Sequence, residues 1–193
     1  MASGSSPWKT LPDFVAAARA QPGIAVAPGG AGSPQTMAFR MLRVRAGLQF
    51  TEIPYKGSPP LMVDLANGTI AMGVVPLAAT MGMLQGGKLK ALAVASEQRS
   101  KLLPDLQTTV EAGYPDVIAE SWYGLHAPAG TPPAIIEAMA EAARIATADA
   151  KVQETAAKAG GETAFLDTHD FTEMLKRDQQ RWEKIAGEVS KDQ

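Results

Sequence analysis

A glycine- and proline-rich stretch, "APGGAGSPQTMAFRML" at residues 27–42, contains residue types whose spacing could do chemistry. Ser33 fits the N-cap of a helix and Pro34 its first position, because the serine oxygen can accept from an orphan backbone N–H and proline has no N–H to leave unpaired. Apolar residues then recur at helical spacing as far as Gly47, which predicts the end of the helix. A glycine-lined helix N-terminus can bind an anion, and a plain capped helix explains the local sequence equally well.

No other motif assembles a catalytic set. The stretch "GMLQGGK" at 82–88 resembles a P-loop, but Leu89 follows where the magnesium-binding hydroxyl belongs, so a helix C-cap is the better interpretation. His126 and His169 are far apart in the sequence, and neither lies near Ser33. We therefore predict no catalytic residues, no metal site and no cofactor, and a protein that is not an enzyme.

Composition narrows the possible partners. The chain has 193 residues, 46% of them hydrophobic, a formal net charge of −2 and no cysteine. The absence of a basic run argues against nucleic acid as a partner, and the absence of cysteine excludes disulfides and thiolate chemistry. No apolar stretch approaches the roughly 20 residues that a membrane-spanning helix needs.

The elements that must position the candidate loop alternate between strands and helices. Apolar or alternating runs predict strands at 24–28, 48–55, 69–76 and 89–96. Helical patterns lie at 11–20, from 34, from 58 and at 77–87. This alternation predicts an α/β fold in which helices cross over a sheet.

The second part of the chain has a different organisation. A connector with a short helix at 109–112 leads to a strand at 119–128, and helices follow from Thr131 to about 148 and at 149–159. A short strand is predicted at 162–166 and a last helix at 168–189. Residues 1–6, "MASGSS", have the composition of an added leader sequence.

Three further stretches carry a family resemblance: "IPYKGSPPLMVDLANGTI", "GGKLKALAVASEQRSKLLPDLQTTVEAGYP" and "ESWYGLHAPAGTPPAIIEAM". Together they resemble the solute-binding proteins of tripartite tricarboxylate transporters, the Bug family, over residues 7–190. The resemblance implies a periplasmic receptor with a type II-like periplasmic-binding-protein fold of two hinged α/β domains. It implies capture of a small organic acid, a di- or tricarboxylate or an amino acid, for membrane permease subunits.

The resemblance also implies where the solute binds. The loop and helix start at 30–36 are expected to hold a carboxylate, and the segments that follow two strands are expected to line its rim. The ligand-binding residues implied in this way are Gly30, Gly32, Ser33, Gln35, Thr36, Tyr55, Lys56, Gly57 and Val75.

Length sets this chain apart from the family pattern. We expect residues 7–120 to form a complete ligand-binding domain, and residues 121–193 to be the return segment of another domain whose N-terminal half is absent. Two functions then compete: a truncated receptor that still binds solute, and a non-binding interaction module or swapped homodimer. In the second case, the strands near 121–127 and 162–166 would present edges that seek a partner.

Overall fold

The computed structural model describes residues 1–30 and 33–190. These residues form two compact units, which are considered separately. Unit 1 comprises Met1–Ser121 together with the end of the chain from Ile185, and unit 2 comprises Trp122–Lys184. Within the described residues, no helix combines the length and the apolar composition needed to cross a membrane.

Unit 1 confirms the predicted alternation of strands and helices. Its elements are β1 (Ala2–Ser3), α1 (Leu11–Ala20), β2 (Ile24–Ala27), α2 (Pro34–Ala46), β3 (Phe50–Glu52), α3 (Ser58–Ala66), β4 (Met72–Gly73), α4 (Leu77–Gln85) and β5 (Leu89–Lys90). The strands after β2 are shorter than the apolar runs that predicted them. Beyond the strands, these runs make few backbone pairs; the run at 89–96, for example, keeps a single bridge between Val94 and Thr108.

Two small sheets organise unit 1. The strands β3, β2 and β4 form a parallel sheet in that order, with Val26 of β2 opposite Glu52 on one side and Met72 on the other. Parallel neighbours cannot be joined by a tight turn, so α2 and α3 serve as the crossover connections. The strands β1 and β5 pair antiparallel in a second sheet.

The first six residues are integrated into this fold. Ala2 is fully buried in β1 and lies opposite Lys90. The Met1 amine donates to the Gly73 carbonyl at 2.9 Å, and the Ser3 hydroxyl donates to the Ala66 carbonyl at 3.0 Å. Short polar residues at a chain start gave no periodic signal, so the pairing could not be recognised from the sequence.

The core of unit 1 lies on both faces of the parallel sheet. Phe14 of α1 is fully buried, and its ring lies 6.0 Å from that of Phe50, which in turn lies 4.9 Å from the ring of Phe39. A further cluster contains Leu61 and Leu65 of α3 and three more buried residues, Ala27, Ile70 and Leu89. These contacts fix the helices against the strand ends that the candidate site requires.

A turn replaces the short helix predicted at 109–112. The Thr108 N–H donates to the Glu111 carboxylate at 2.8 Å, and the Glu111 N–H donates to the Thr108 hydroxyl at 3.0 Å. The Thr109 hydroxyl donates to the Val117 carbonyl at 2.6 Å. The reciprocal bonds between Thr108 and Glu111 form a capping box, and the Ala112 N–H donates to the Thr108 carbonyl at 3.1 Å as in a helix. The segment stops after this single turn, at Gly113 with a φ of +92°.

Unit 2 is built from helices and unpaired loops. Its helices are α5 (Pro133–Ala148), α6 (Ala150–Lys158) and the greater part of α7 (Thr168–Ser190), close to the predicted bounds. The strands predicted at 119–128 and 162–166 do not form, because no described strand lies beside either segment. No residue of unit 2 is buried.

Candidate functional site

The candidate site lies at the carboxyl edge of the parallel sheet. All three strands end at this edge, where β2 continues into residues 28–33, β3 into 53–57 and β4 into 74–76. The central strand is β2, and the chain passes first to β3 on one side of it and then to β4 on the other. Such a reversal of strand order opens a crevice outside the strand ends, where α/β proteins bind ligands.

Glycine is required where the loops after β2 and β4 come together. Gly29 has a φ of +107°, and a Cβ there would lie 3.1 Å from the Gln35 Cβ and 3.3 Å from the Val74 carbonyl oxygen. The Val74 N–H donates to the Ala27 carbonyl at 3.2 Å. A side chain at residue 29 would therefore separate the two loops, and the sequence-based list of site residues missed this position.

The hydroxyls of Ser33 and Thr36 hold the loop to the start of α2. The Thr36 N–H donates to the Ser33 hydroxyl at 3.2 Å, which confirms Ser33 as the N-cap. The buried Thr36 hydroxyl donates to the Gly30 carbonyl at 2.6 Å and lies 3.2 Å from the Ser33 hydroxyl. Both hydroxyls are thus engaged within the loop, and so is the carbonyl of Gly30.

Backbone N–H groups at the helix starts are the remaining donors. In α2, Pro34 has no N–H, and Gln35 stands in the first turn, where N–H groups have no partner within the helix. In α4, Pro76 occupies the N-cap position and no side chain caps the first turn. The α3 start offers fewer donors, because Pro59 and Pro60 stand in its first turn.

The sequence analysis did not identify the start of α4 as part of the candidate site. The run "IAMGVVPLA" at 70–78 indicated an apolar rim, and only side chains were considered there. The available signal was the absence of Ser, Thr, Asp or Asn before Leu77, which leaves the first amides of the helix without a side-chain cap.

Tyr55 and Val75 pack into the fold. Both lie against the buried cluster that contains Leu61 and Leu65. The Tyr55 hydroxyl donates to the Asp64 carboxylate at 2.6 Å, and this bond raises the pKa of Tyr55 to about 12. The tyrosine therefore stays neutral and ties the loop after β3 to α3.

Lys56, directly before the N-cap of α3, supplies a positive charge at this edge of the sheet. Its side chain is exposed and makes no hydrogen bond or ion pair with any other residue in the described part of the chain. Glu52, at the end of β3, lies 3.4 Å from Arg40 and 3.7 Å from Arg43, so its negative charge is compensated. Gly57 follows Lys56 with a φ of +105°, a conformation that glycine adopts without strain and that begins α3.

The predicted ligand-binding residues that the structure describes therefore all lie in loops or helix starts at one edge of the sheet. Gly30, Ser33, Gln35 and Thr36 follow β2, while Tyr55, Lys56 and Gly57 follow β3 and Val75 follows β4. Gly32 lies outside the described residues.

An acidic cluster in unit 2 is explained by helix capping. Asp167, His169 and Asp170 are exposed, and their potential ligand atoms lie within 4.8 Å of one another. The Asp170 N–H donates to the Asp167 carboxylate at 2.8 Å, and His169 Nδ1 lies 3.2 Å from the Asp170 carboxylate. These are local contacts at the start of α7, and they account for the cluster.

Comparison with known proteins gives one family. The family model described as "Tripartite tricarboxylate transporter family receptor" matches residues 1–190. Protein BugT of Bordetella pertussis is 34% identical over 182 residues, which are 93% of this chain and 56% of BugT. The chain thus spans little more than half the length of this curated relative.

Solved structures show the same fold. The Rhodopseudomonas structure titled "R. palustris Rpa4515 with adipate" matches 97% of this chain and 63% of its own, with a TM-score of 0.83 and 27% identity. A TctC solute-binding protein from Polaromonas, solved without ligand, matches 97% of this chain and 64% of its own, with a TM-score of 0.83 and 30% identity. The expected periplasmic-binding-protein type of α/β fold is confirmed.

These matches also agree on the kind of protein. Where their names state a role, they are receptors or solute-binding proteins, in agreement with the prediction that the chain is not an enzyme. The family model covers nearly the whole sequence, and the motifs quoted from "IPYKG" to "APAGTPP" lie inside the matched range. The chain therefore belongs to the tripartite tricarboxylate transporter family of receptors.

Proposed function

We propose that the chain is an extracytoplasmic receptor that holds a small carboxylate at the carboxyl edge of the unit 1 sheet. The observation that carries this proposal is the junction of the loops after β2 and β4, where Gly29 allows the start of α2 to lie against the exit of β4. This junction gathers helix N-termini at the point where the strand order reverses.

The chemistry of a carboxylate fits this edge. An anion taken from water loses its hydration, and fixed donors must replace it. Backbone N–H groups at a helix start carry the positive end of the helix dipole, which contributes about 0.3–1 kcal/mol at an exposed site. In this proposal the amides near Gln35 and Leu77 receive the carboxylate, and Gly32 allows it to approach the backbone.

Lys56 and the loop hydroxyls have different roles in this proposal. The Lys56 ammonium is the charged donor, because it has no competing partner among the described residues. Ser33 and Thr36 act mainly by holding the loop in shape, since their hydroxyls already bond to the loop and to each other. Tyr55 and Val75 pack against the buried cluster of unit 1, and Gly57 gives the backbone turn that begins α3.

The solute class and the partners follow by analogy with the relatives. The R. palustris structure is titled with adipate, a dicarboxylate, and another neighbour is titled a periplasmic binding protein, BugD. We infer that this chain takes a di- or tricarboxylate, with an amino acid as the alternative. We further infer that it works in the periplasm and delivers the solute to membrane permease subunits.

Ligand-dependent stability tests the proposal. The melting temperature of the protein should rise with the concentration of a dicarboxylate such as adipate, because a ligand that binds only the folded state stabilises it by mass action. Lys56→Gln should weaken the affinity at least tenfold, since a charged hydrogen bond contributes about 1.5–3 kcal/mol.

Lys88→Gln is the matched control for this experiment. Lys88 is exposed and lies beyond the C-terminus of α4, the opposite end from the proposed anion site. The Lys88→Gln substitution removes the same charge from the same unit. Equal losses of carboxylate affinity in both variants would therefore mean a non-specific charge effect. Absence of any shift across a panel of di- and tricarboxylates at millimolar concentration would refute the proposed function.

A further inference from the structure

A hydrogen bond between Tyr55 and Asp64 spans the start of α3. The Tyr55 hydroxyl donates to the Asp64 carboxylate at 2.6 Å, although the two residues lie nine positions apart in the sequence. Tyr55 precedes Ser58, the first residue of α3, whereas Asp64 stands in the second turn of the helix. The bond therefore ties the loop after β3 to the body of the helix that follows it.

The Asp64 side chain is used by this one contact. Asp64 is half-buried in the interior of α3, beside Leu65 and one turn after Leu61, both of which are buried. Aspartate is a poor helix former at such a position, and a half-buried carboxylate is costly unless it is hydrogen-bonded. The Tyr55 hydroxyl is its only side-chain partner among the residues that the structure describes. The bond to Tyr55 therefore accounts for a carboxylate at this position.

The loop that makes this bond is anchored on both sides of Lys56. The Ile53 N–H donates to the Val26 carbonyl at 2.8 Å, which continues the pairing of β3 with β2. Tyr55 packs against the buried cluster of unit 1, and Gly57 begins α3. Lys56 is exposed and stands between these two anchored residues. The backbone from which the ammonium extends is thus held by its neighbours, and the Tyr55 side chain is the anchor on the strand side.

A lysine needs such support because its own side chain is flexible. The ammonium stands at the end of a four-carbon stem, and ordering this stem on binding costs conformational entropy. Backbone amides are a poor substitute at this strand exit, because Pro59 and Pro60 remove N–H groups from the first turn of α3. The exits of β2 and β4 lead to helix starts that offer backbone donors, whereas the exit of β3 depends on Lys56.

From these contacts we propose that Asp64 is a positioning residue of the solute site, which fixes the backbone of Lys56 through its hydrogen bond to Tyr55. Asp64 itself does not contact the solute in this proposal. It sets where the Lys56 ammonium can reach, so that less order has to be imposed when a carboxylate binds. This inference rests on the proposed function, in which Lys56 is the charged donor to the carboxylate.

The affinity of three variants for a carboxylate probe tests the proposal, with titration calorimetry as the measurement. The probe is adipate or, where another acid of the di- and tricarboxylate panel raises the melting temperature more, that acid. Tyr55→Phe removes only the hydroxyl, and Asp64→Ala removes the acceptor while introducing a better helix former. Each should weaken binding about fivefold, because the released loop must be ordered again when Lys56 engages the carboxylate. Asp64→Asn should stay within about twofold of the parent, since its amide oxygen still accepts the tyrosine hydrogen bond.

Combination with Lys56→Gln separates positioning from general stabilisation. If Tyr55 and Asp64 act through Lys56, then Tyr55→Phe or Asp64→Ala should change the affinity less than about twofold once the lysine is replaced. A bond that only stabilises the fold would weaken binding by the same factor in both backgrounds. Thermal melts without ligand establish that each variant is folded at the temperature of the titration.

Tyr114→Phe is the matched control, because it removes a hydroxyl from another half-buried tyrosine of unit 1, in the connector after β5. This variant should bind the probe as tightly as the parent. Parent-like affinity in both Tyr55→Phe and Asp64→Ala would overturn the inference and leave the proposed function standing, as would equal losses with and without Lys56. If the parent binds no acid of the panel, the proposed function fails and this inference fails with it.

Discussion

Units 1 and 2 differ in how their apolar residues are used. Unit 1 buries large side chains such as Phe14, Phe39 and Leu65, whereas unit 2 buries none of its residues. Both units nevertheless form helices close to the bounds that the sequence predicts. The difference teaches that capping and periodicity suffice to specify these helices, while burial requires a sheet to pack against, and unit 2 contains no described strand.

The ion pairs show the same contrast. In unit 2, pairs such as Arg144–Glu141 and Lys176–Glu173 join residues three apart on one helix. In unit 1, Arg45 lies 2.8 Å from both Asp116 and Glu188, which are distant in the sequence. Local pairs support a helix by a few tenths of a kcal/mol, whereas distant pairs depend on the tertiary fold.

The largest expected effect compares truncations in the two units. Phe14→Ala should reduce the free energy of unfolding by about 3–5 kcal/mol, because it removes a fully buried ring between Trp8 and Phe50. Ile145→Ala in unit 2 should change it by less than about 0.5 kcal/mol, because Ile145 is 58% exposed. Urea denaturation of both variants checks the prediction. Similar losses of unfolding free energy in the two variants would mean that Ile145 is buried in a core of unit 2 in solution.

A smaller effect compares two glycines. Gly124→Ala should destabilise unit 2 by about 1–3 kcal/mol, because its Cβ would overlap the Phe171 ring. Gly82→Ala in α4 should stabilise unit 1 by about 0.5–1 kcal/mol, because its Cβ would enter open space in a helix. Near-ultraviolet circular dichroism and thermal melts measure both. An unchanged aromatic signal in Gly124→Ala would show that the ring contact is loose.

The smallest expected effect concerns pH. Bonds from the N–H groups of Lys9 and Thr10 hold the pKa of Asp13 below its usual value of 3.8. The folded state therefore binds the proton less readily than the unfolded state, so this stabilisation is present above pH 3.8 and is lost as the pH falls through the lower folded-state pKa. Asp13→Asn should be less stable than the parent at pH 7.

Acid denaturation curves provide the matching test in unit 2. The hydrogen bond and charge of Lys176, on the same helix, are the main cause of the lowered pKa of Glu173, with smaller contributions from His169 and Arg177. Glu173→Gln should therefore also lose stability mainly at neutral pH. Both variants should converge with the parent in strong acid. A stability difference between variant and parent that persists at pH 2 would show that the carboxylate charge is not the source of the stabilisation.

The candidate site was only partly predictable. Ser33 and Gly47 were recognised as the limits of α2 because both signals are local to the chain. The engagement of Tyr55 with Asp64 and the need for glycine at residue 29 were not predictable, since both depend on contacts between separate elements. The donors at the start of α4 were missed because they belong to the backbone and have no side-chain signature.

The sequence by itself determined the family, the α/β class and the positions of most helices, because motifs, caps and apolar periods act over a few residues. Only the tertiary structure decided which apolar runs became strands, since a strand exists through hydrogen bonds to a neighbour. Ala2 and Ser3 gained such a neighbour in β5, and residues 122–127 did not. The difference in burial between the two units has the same cause. An apolar pattern shows only that a residue can be buried, whereas burial itself requires another element packed against it.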